Sequence, residues 1–298
     1  MSLVSKPTDL RDRVLNKKKS EKRGDKLVHA FSEHINAINS IDYFNVLSVE
    51  ELLLKEHAFM IEKLKSRPNF PKGLTRFSPS SAAKCERELF FKAIKAEQDE
   101  KTGHPFQRRW TRNSTAVHGA VQKQLLEAEV LLDKPKFRVM RLANDLPAWE
   151  KNIEKTKIIK HGGVEFCIFG MCDGVLEYED GTKIGFEFKT KSNSVAQIKQ
   201  VKDIKQYQHQ LTAYSILFGI NEWLVMVEAV AKDKWSTGSI ARDDFKLFYH
   251  KVSEADRKAL LDKWARVAMN VQDGEISKPE YSKCLFCPFK GICQEVGL

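Results

Sequence analysis

The stretch Gly170-Met171-Cys172-Asp173-Gly174-Val175-Leu176-Glu177-Tyr178, then Glu179-Asp180-Gly181-Thr182, then Lys183-Ile184-Gly185-Phe186-Glu187-Phe188-Lys189 decides the fold. Its two outer parts are rich in β-branched and aromatic residues, and Asp-Gly between them is a strong hairpin signal. On the second strand Glu187 and Lys189 stand two apart and share one face, while Ile184, Phe186 and Phe188 share the other. The hairpin folds the strand that follows Asp173 back beside the one that bears Glu187. Two carboxylates and an ammonium then converge, a set able to hold a hard divalent cation. Taken alone, the same spacing also suits an ordinary surface hairpin with solvated charges.

Working outward, Val164–Phe169 precedes the hairpin as another β-rich run. A helix over Asp203–Phe218 follows it, then strands over Trp223–Val230 and Phe245–Val252. Ser253-Glu254-Ala255-Asp256 resembles a capping box with Asp in place of Glu, opening a helix that runs to about Val271 and closes at Gly274. Upstream, Ser78-Pro79-Ser80 predicts the start of a helix running through Cys85 to about Lys95, and a second helix spans Ser114–Leu132 with His118 on it. This order predicts an α/β fold with one central mixed sheet flanked by helices. Residues 1–75 read as a helical, basic extension with amphipathic runs near Lys26–Ile41 and Val49–Lys65. Pro68, Pro71 and Gly73 place a boundary there, leaving 76–298 as the main domain.

Hydrophobic residues make up 42% of the 298, and charged residues 30%, which describes a globular chain. The longest apolar run, Trp223–Ala231, is far too short to span a bilayer, and the N-terminus has no apolar signal core. The expected location is therefore the cytoplasm, with no membrane partner. A net charge of +10 favours a polyanionic partner. Arg11, Arg13, Lys17, Lys18, Lys19, Lys22 and Arg23 crowd one stretch, which suits a solvated tail and a phosphate-contacting arm equally. There is no G-x-x-x-x-G-K-[ST] loop, so no nucleotide-driven motor is encoded.

In a reducing compartment the six cysteines are not expected to form disulfides. Cys284-x-x-Cys287-x5-Cys293 is a compact ligand pattern, and Cys85 lies far upstream. By spacing, the pattern suits a structural zinc or an iron–sulfur cluster equally. Cys167 and Cys172 lack ligand-like spacing and read as buried core residues.

The order Asp173, then Glu187-x-Lys189 after a hairpin, resembles the RecB-like branch of the PD-(D/E)XK nucleases. That branch includes the CRISPR-associated spacer-trimming nucleases and the AddB nuclease domain. Thr115-Ala116-Val117-His118 matches the family's helix histidine, although Ser114 stands where its usual glycine leads in. Gln210-Leu211-Thr212-Ala213-Tyr214 matches its Gln-x-x-x-Tyr helix. Taken singly, His118 is an ordinary helix histidine and Tyr214 an ordinary core aromatic. The resemblance spans about residues 75–296 and implies a restriction-endonuclease-like core.

The resemblance further implies that His118, Asp173, Glu187 and the Phe188 carbonyl hold Mn²⁺ or Mg²⁺. It gives Lys189 to the attacking water, and Gln210 and Tyr214 to the substrate strand or to support of the lysine. Cys85, Cys284, Cys287 and Cys293 would hold a [4Fe–4S] cluster that closes the C-terminal segment onto the core. The implied activity is metal-dependent hydrolysis of DNA with free ends or single strands, in recombination, repair or replication, alongside a recombination or replication protein partner. A CRISPR spacer-trimming subunit and a non-catalytic DNA-binding scaffold are the alternatives.

Overall fold

The Asp-Gly turn is present in the computed structural model, which describes residues 7–42, 45–66, 70–100, 103–194, 198, 200–232 and 243–297. The Gly181 amide donates to the Tyr178 carbonyl at 2.8 Å, and Gly181 takes φ of +80°, which favours glycine.

In chain order the helices are α1 (Pro7–Ile38), α2 (Leu47–Lys65), α3 (Glu86–Ala93), α4 (Pro105–Leu131), α5 (Lys205–Phe218), α6 (Glu254–Asp273) and α7 (Lys290–Glu295). The strands are β1 (Thr75–Phe77), β2 (Phe137–Val139), β3 (Lys155–His161), β4 (Val164–Gly170), β5 (Gly174–Tyr178), β6 (Lys183–Ser194), β7 (Glu222–Ala231) and β8 (Phe245–Lys251). A five-stranded mixed sheet runs β2-β5-β6-β7-β8, and only its β6–β7 pair is parallel. The α5 crossover joins those two central strands, the usual solution for a parallel pair. No described helix is long and apolar enough to cross a membrane.

The sequence placed Val164–Phe169 in the same sheet as the hairpin; the structure does not. β4 instead pairs parallel with β1 and antiparallel with β3 in a separate three-stranded sheet. The strand β3, exposed along most of its length, carries no apolar alternation that would have announced it. The helix expected from Ser78 to Lys95 is broken as well. A single 3-10 turn at Pro79–Ser81 is followed by α3, for which Cys85 is the N-terminal flanking residue. At α6, by contrast, the capping box forms as read. The Ser253 amide donates to Asp256 at 2.9 Å, and the Asp256 amide donates to the Ser253 hydroxyl at 3.1 Å.

One face of the five-stranded sheet buries Ile184, Phe186 and Phe188 against Leu27, Phe31 and Ile35 of α1 and Leu125 and Leu126 of α4. The N-terminal helix is thus part of this core. Arg23 fastens it further, donating to Glu222 at 2.7 Å and Asp180 at 2.9 Å. The backbone of the basic run from Arg11 to Lys19 is helical, and its side chains lie outside the described residues, as does Pro68 at the boundary read from the sequence. The other face packs Val225 and Val227 against Leu211 and Tyr214 of α5. Gly185 is dictated by a close approach, since a Cβ there would meet the Trp223 ring at 2.3 Å. The three-stranded sheet has its own core, in which Phe77 stacks on Trp264 of α6 at 5.2 Å.

Candidate active site

The β5–β6 register pairs Gly174 with Phe186. Asp173, one residue before that pair, therefore comes alongside Glu187, one residue after it. The Phe188 amide donates to Asp173 Oδ2 at 2.8 Å and fixes the carboxylate. From α4, His118 Nδ1 approaches the same oxygen at 3.8 Å, its ring edge-on to Phe188. One turn further along α4, Gln122 donates to the Asp173 carbonyl at 2.9 Å.

Glu187 is buried, 1% exposed, rather than standing on a surface patch. Its Oε1 receives Gln210 Nε2 at 2.9 Å and is ion-paired with Lys189, while its Oε2 is buried without a partner. Gln210 also donates to the Tyr214 hydroxyl at 2.8 Å. Tyr214 itself is buried, stacked on Trp223 at 5.3 Å. It therefore reaches the cluster only through Gln210, and a direct contact with a substrate strand is not what this geometry offers. Lys189 lies 5.2 Å from the Tyr207 ring centroid.

Crowding shapes the charges. Burial, with Asp173 adding to it, pushes the Glu187 carboxyl up to about 8 against the opposing pull of Lys189 and Gln210. Burial also raises Asp173. It works against the Lys189 ammonium too, but Glu187 outweighs it and holds the lysine charged. A cluster that prefers to be partly protonated when bare gains from a cation that takes the negative charge.

Sequence reading missed Glu150. It lies in a 3-10 turn between β2 and β3, and one ligand atom each from His118, Glu150 and Asp173 lie within 4.8 Å of one another. Glu187, expected in the ligand set, is not in that group. The set of one imidazole and two carboxylates fits a divalent cation of the Mg²⁺ or Mn²⁺ kind. Burial followed by Asp173 raises Glu150 as well. Its backbone sits at φ of +40°, unusual for a non-glycine residue, with its amide donating to the Cys172 carbonyl at 2.7 Å. No local pattern in Trp149-Glu150-Lys151 signals any of this. A cleft of about 730 Å³ opens on His118 and Glu150, lined also by Trp110, Ser114, Thr190 and Val230.

The cysteines gather elsewhere, beside the smaller sheet. Cys85 is buried, with the Glu280 amide donating to its sulfur at 3.1 Å. Cys284, Cys287 and Cys293 are half-exposed, and Arg87 donates to Cys293 at 3.4 Å. Burial raises the Cys287 thiol, and Glu88, Cys284 and Cys85 stand near enough to push it further. Among the described residues no three of these sulfurs lie within 4.8 Å of one another, the closeness needed to share a single metal ion. Cys167 and Cys172 are buried in the cores.

Residues 86–294 match the family model described as the PD-(D/E)XK nuclease superfamily. No curated protein matches the sequence. Among solved structures, the crystal structure of SSO0001 is similar at TM-score 0.42 and 17% identity, covering 85% of this chain and 98% of that one. An alkaline exonuclease, LHK-Exo from Laribacter hongkongensis, is similar at TM-score 0.42 and 11% identity, with 67% of this chain and 90% of that one covered. Its complex with dAMP scores 0.39 at 12% identity over the same shares.

Proposed function

This chain belongs to the PD-(D/E)XK nuclease superfamily, and from that premise we propose that it is a divalent-metal-dependent deoxyribonuclease of the RecB-like branch, working as an exonuclease on DNA ends or single strands. The single observation that carries the reading is the convergence of His118, Glu150 and Asp173 beside buried Glu187 and its ion pair with half-buried Lys189. That is a hydrolytic patch rather than a scatter of surface charge.

In this reading His118, Asp173 and Glu150 would hold Mn²⁺ or Mg²⁺, with Glu187, whose Oε2 is buried without a partner, and the Phe188 carbonyl completing the set. The imidazole tilts the preference toward Mn²⁺. When bound, the cation supplies Lewis-acid polarisation of the phosphoryl group. The remaining work belongs to the chain. Lys189, kept charged by Glu187, orients the attacking water and offsets the negative charge that develops at the phosphate. Gln210 holds Glu187 in place, and Tyr214 holds Gln210. Cys85, Cys284, Cys287 and Cys293 form the [4Fe–4S] corner that fastens the C-terminal segment to the domain 76–298. Support comes from their gathering at one place although Cys85 lies far from the others in sequence.

End-labelled linear DNA and covalently closed DNA, incubated with Mn²⁺, Mg²⁺ or chelator, test this. The expected result is release of label from linear DNA with either metal, faster with Mn²⁺, and none with chelator. Cleavage undiminished by chelator, or none under any condition, would overturn the reading.

A further inference from the structure

Helix α4 leaves the body of the protein at its N-terminal end. Every residue from Pro105 to Trp110 is exposed, including Phe106 at 42% and Trp110 at 58%. These are costly residues to leave in water, and they are ordered among themselves. His104 stacks on Phe106 at 5.4 Å, and Phe106 meets Trp110 edge-on at 5.0 Å. Phe106, Trp110, Ser114, His118 and Gln122 are spaced by four, so they form one ridge along the helix. The ridge therefore runs from the exposed aromatic pair into the cleft, past Ser114, whose hydroxyl lies 2.6 Å from that of Thr190 on the strand bearing Lys189. It ends on the two side chains that address Asp173, His118 and Gln122.

The charge on this helix is one-sided. From Pro105 to Leu126 there is no Asp or Glu, while Arg108, Arg109, Arg112 and Lys123 all fall within it. Arg109 and Asn113 flank the ridge, and Arg108 and Arg112 stand on the far side of the exposed turns. Exposed aromatic rings on a cationic stretch without acids are the chemistry that receives unpaired bases and their phosphates. A duplex offers no free base face to stack on, and an acidic protein partner would not call for the rings.

We propose that the exposed end of α4 is a single-strand platform, on which Trp110 stacks an unpaired base and Arg109 holds a phosphate while the strand runs down the ridge to His118. This rests on the nuclease reading and sharpens it, since it makes single-stranded DNA, or the frayed end of a duplex, the form that enters the cleft. The eight steps from Trp110 to His118 rise roughly 12 Å along the helix. That is about three to four nucleotides at the ~3.4 Å spacing of a stacked strand.

Binding without turnover is the test, read in chelator by titrating the full chain with a short oligothymidylate and with a blunt duplex of equal length. Trp110→Ala should weaken oligothymidylate binding about 5- to 150-fold and leave blunt-duplex affinity unchanged. Trp110→Phe should retain affinity but lose most of the tryptophan quenching expected of the wild type, with Trp235, which lies outside the described residues, replaced by Phe in both proteins; Trp149, Trp223 and Trp264 are buried. Arg109→Gln should lower the log–log salt slope by about 0.7. Wild-type affinity for oligothymidylate in Trp110→Ala would overturn the platform, as would equal losses on both DNAs or a wild type that binds no single strand. If Trp110→Ala instead dissolves a self-associated species and keeps its affinity for DNA, the ridge is a contact between copies of this chain. The two readings separate cleanly. A chain that cuts DNA while Trp110→Ala binds normally loses only the platform; one that binds through Trp110 and cuts nothing loses only the nuclease.

Discussion

The two sheets are closed by different means. The five-stranded sheet is sealed by packing: α1 and α4 cover one face with Leu27, Phe31 and Leu125, α5 covers the other, and Glu187 is buried between strand and helix. Among the described residues after Gly274, the one large buried side chain beside the three-stranded sheet is Phe289, against Phe91 at 5.8 Å, with Ile292 partly buried near it. Polar contacts add to this. Asp99 accepts from the Lys290 amide at 2.9 Å, and Arg87 donates to the carbonyls of Ser277 and Gly297 at 2.8 and 2.9 Å. Leu285 and Phe286, between two of the cysteines, are 80% and 86% exposed. One end of the molecule is sealed by burial on both faces of its sheet, while at the other the C-terminal segment adds mostly polar contacts to the smaller sheet's own core.

The sharpest way to test the packed end is to change its chemistry without changing its shape. Glu187→Gln should keep the fold, because glutamine fills the same space, and should reduce cleavage of end-labelled DNA about 10²- to 10³-fold. Lys189→Ala should do the same. Near-normal cleavage by Glu187→Gln, with the same melting temperature, would remove Glu187 from the hydrolytic machinery.

The thiol-held end makes the opposite prediction. Cys85→Ser should cost stability there, about 3–5 kcal/mol by analogy with closing a loop of roughly 200 residues. Limited proteolysis should then cut first after about Val271, and anaerobically purified protein should lose its iron and brown colour. Cys167→Ser and Cys172→Ser should keep both. Stoichiometric zinc with no iron in the wild type would replace the cluster and leave the contrast between the two ends intact. An uncut C-terminus in Cys85→Ser would erase that contrast.

At the sealed end a cavity should be felt through the whole domain. Phe31 is fully buried, 5.0 Å from the Phe137 ring and 5.4 Å from Phe186. Phe31→Ala should destabilise the protein by about 3–5 kcal/mol in urea unfolding. A loss below about 1 kcal/mol would mean that α1 is an appendage rather than part of the sheet's core.

How much of this was legible in the sequence depends on how local the signal was. The Asp173–Glu187–Lys189 arrangement follows from a hairpin turn and the two-residue strand period, both local, and the structure has them as read. The capping box at Ser253 is local too. Glu150, the separate sheet formed by β1, β3 and β4, and the burial of Glu187 under Gln210 are set by which surfaces meet across the chain. Lys155–His161 shows the limit: four of its seven residues are lysine or histidine, and only pairing with β4 makes it a strand. Tyr214 illustrates it differently. Its one-turn spacing from Gln210 was visible, but that buried Tyr214 accepts from Gln210 while Gln210 donates to Glu187 was not.

The smallest expected effect sharpens the comparison from inside the packed end. His34 of α1 is buried beside Phe31 and Phe137, and its Nε2 has no partner. Burial, with Lys136 adding to it, lowers the ring from the ordinary 6.5 to about 4. The folded protein therefore binds fewer protons than the unfolded chain between those values. The sign follows: stability is fully present above pH 6.5 and drains away as pH falls toward 4. At pH 5 the loss from this one group is on the order of 2 kcal/mol. His34→Leu removes the titration and fills the same space with carbon, so the melting temperature should change little at pH 7.5 and rise relative to wild type at pH 5. Two parallel melting curves across that range would show that α1 does not bury His34, and that the packed end is looser than a sealed core.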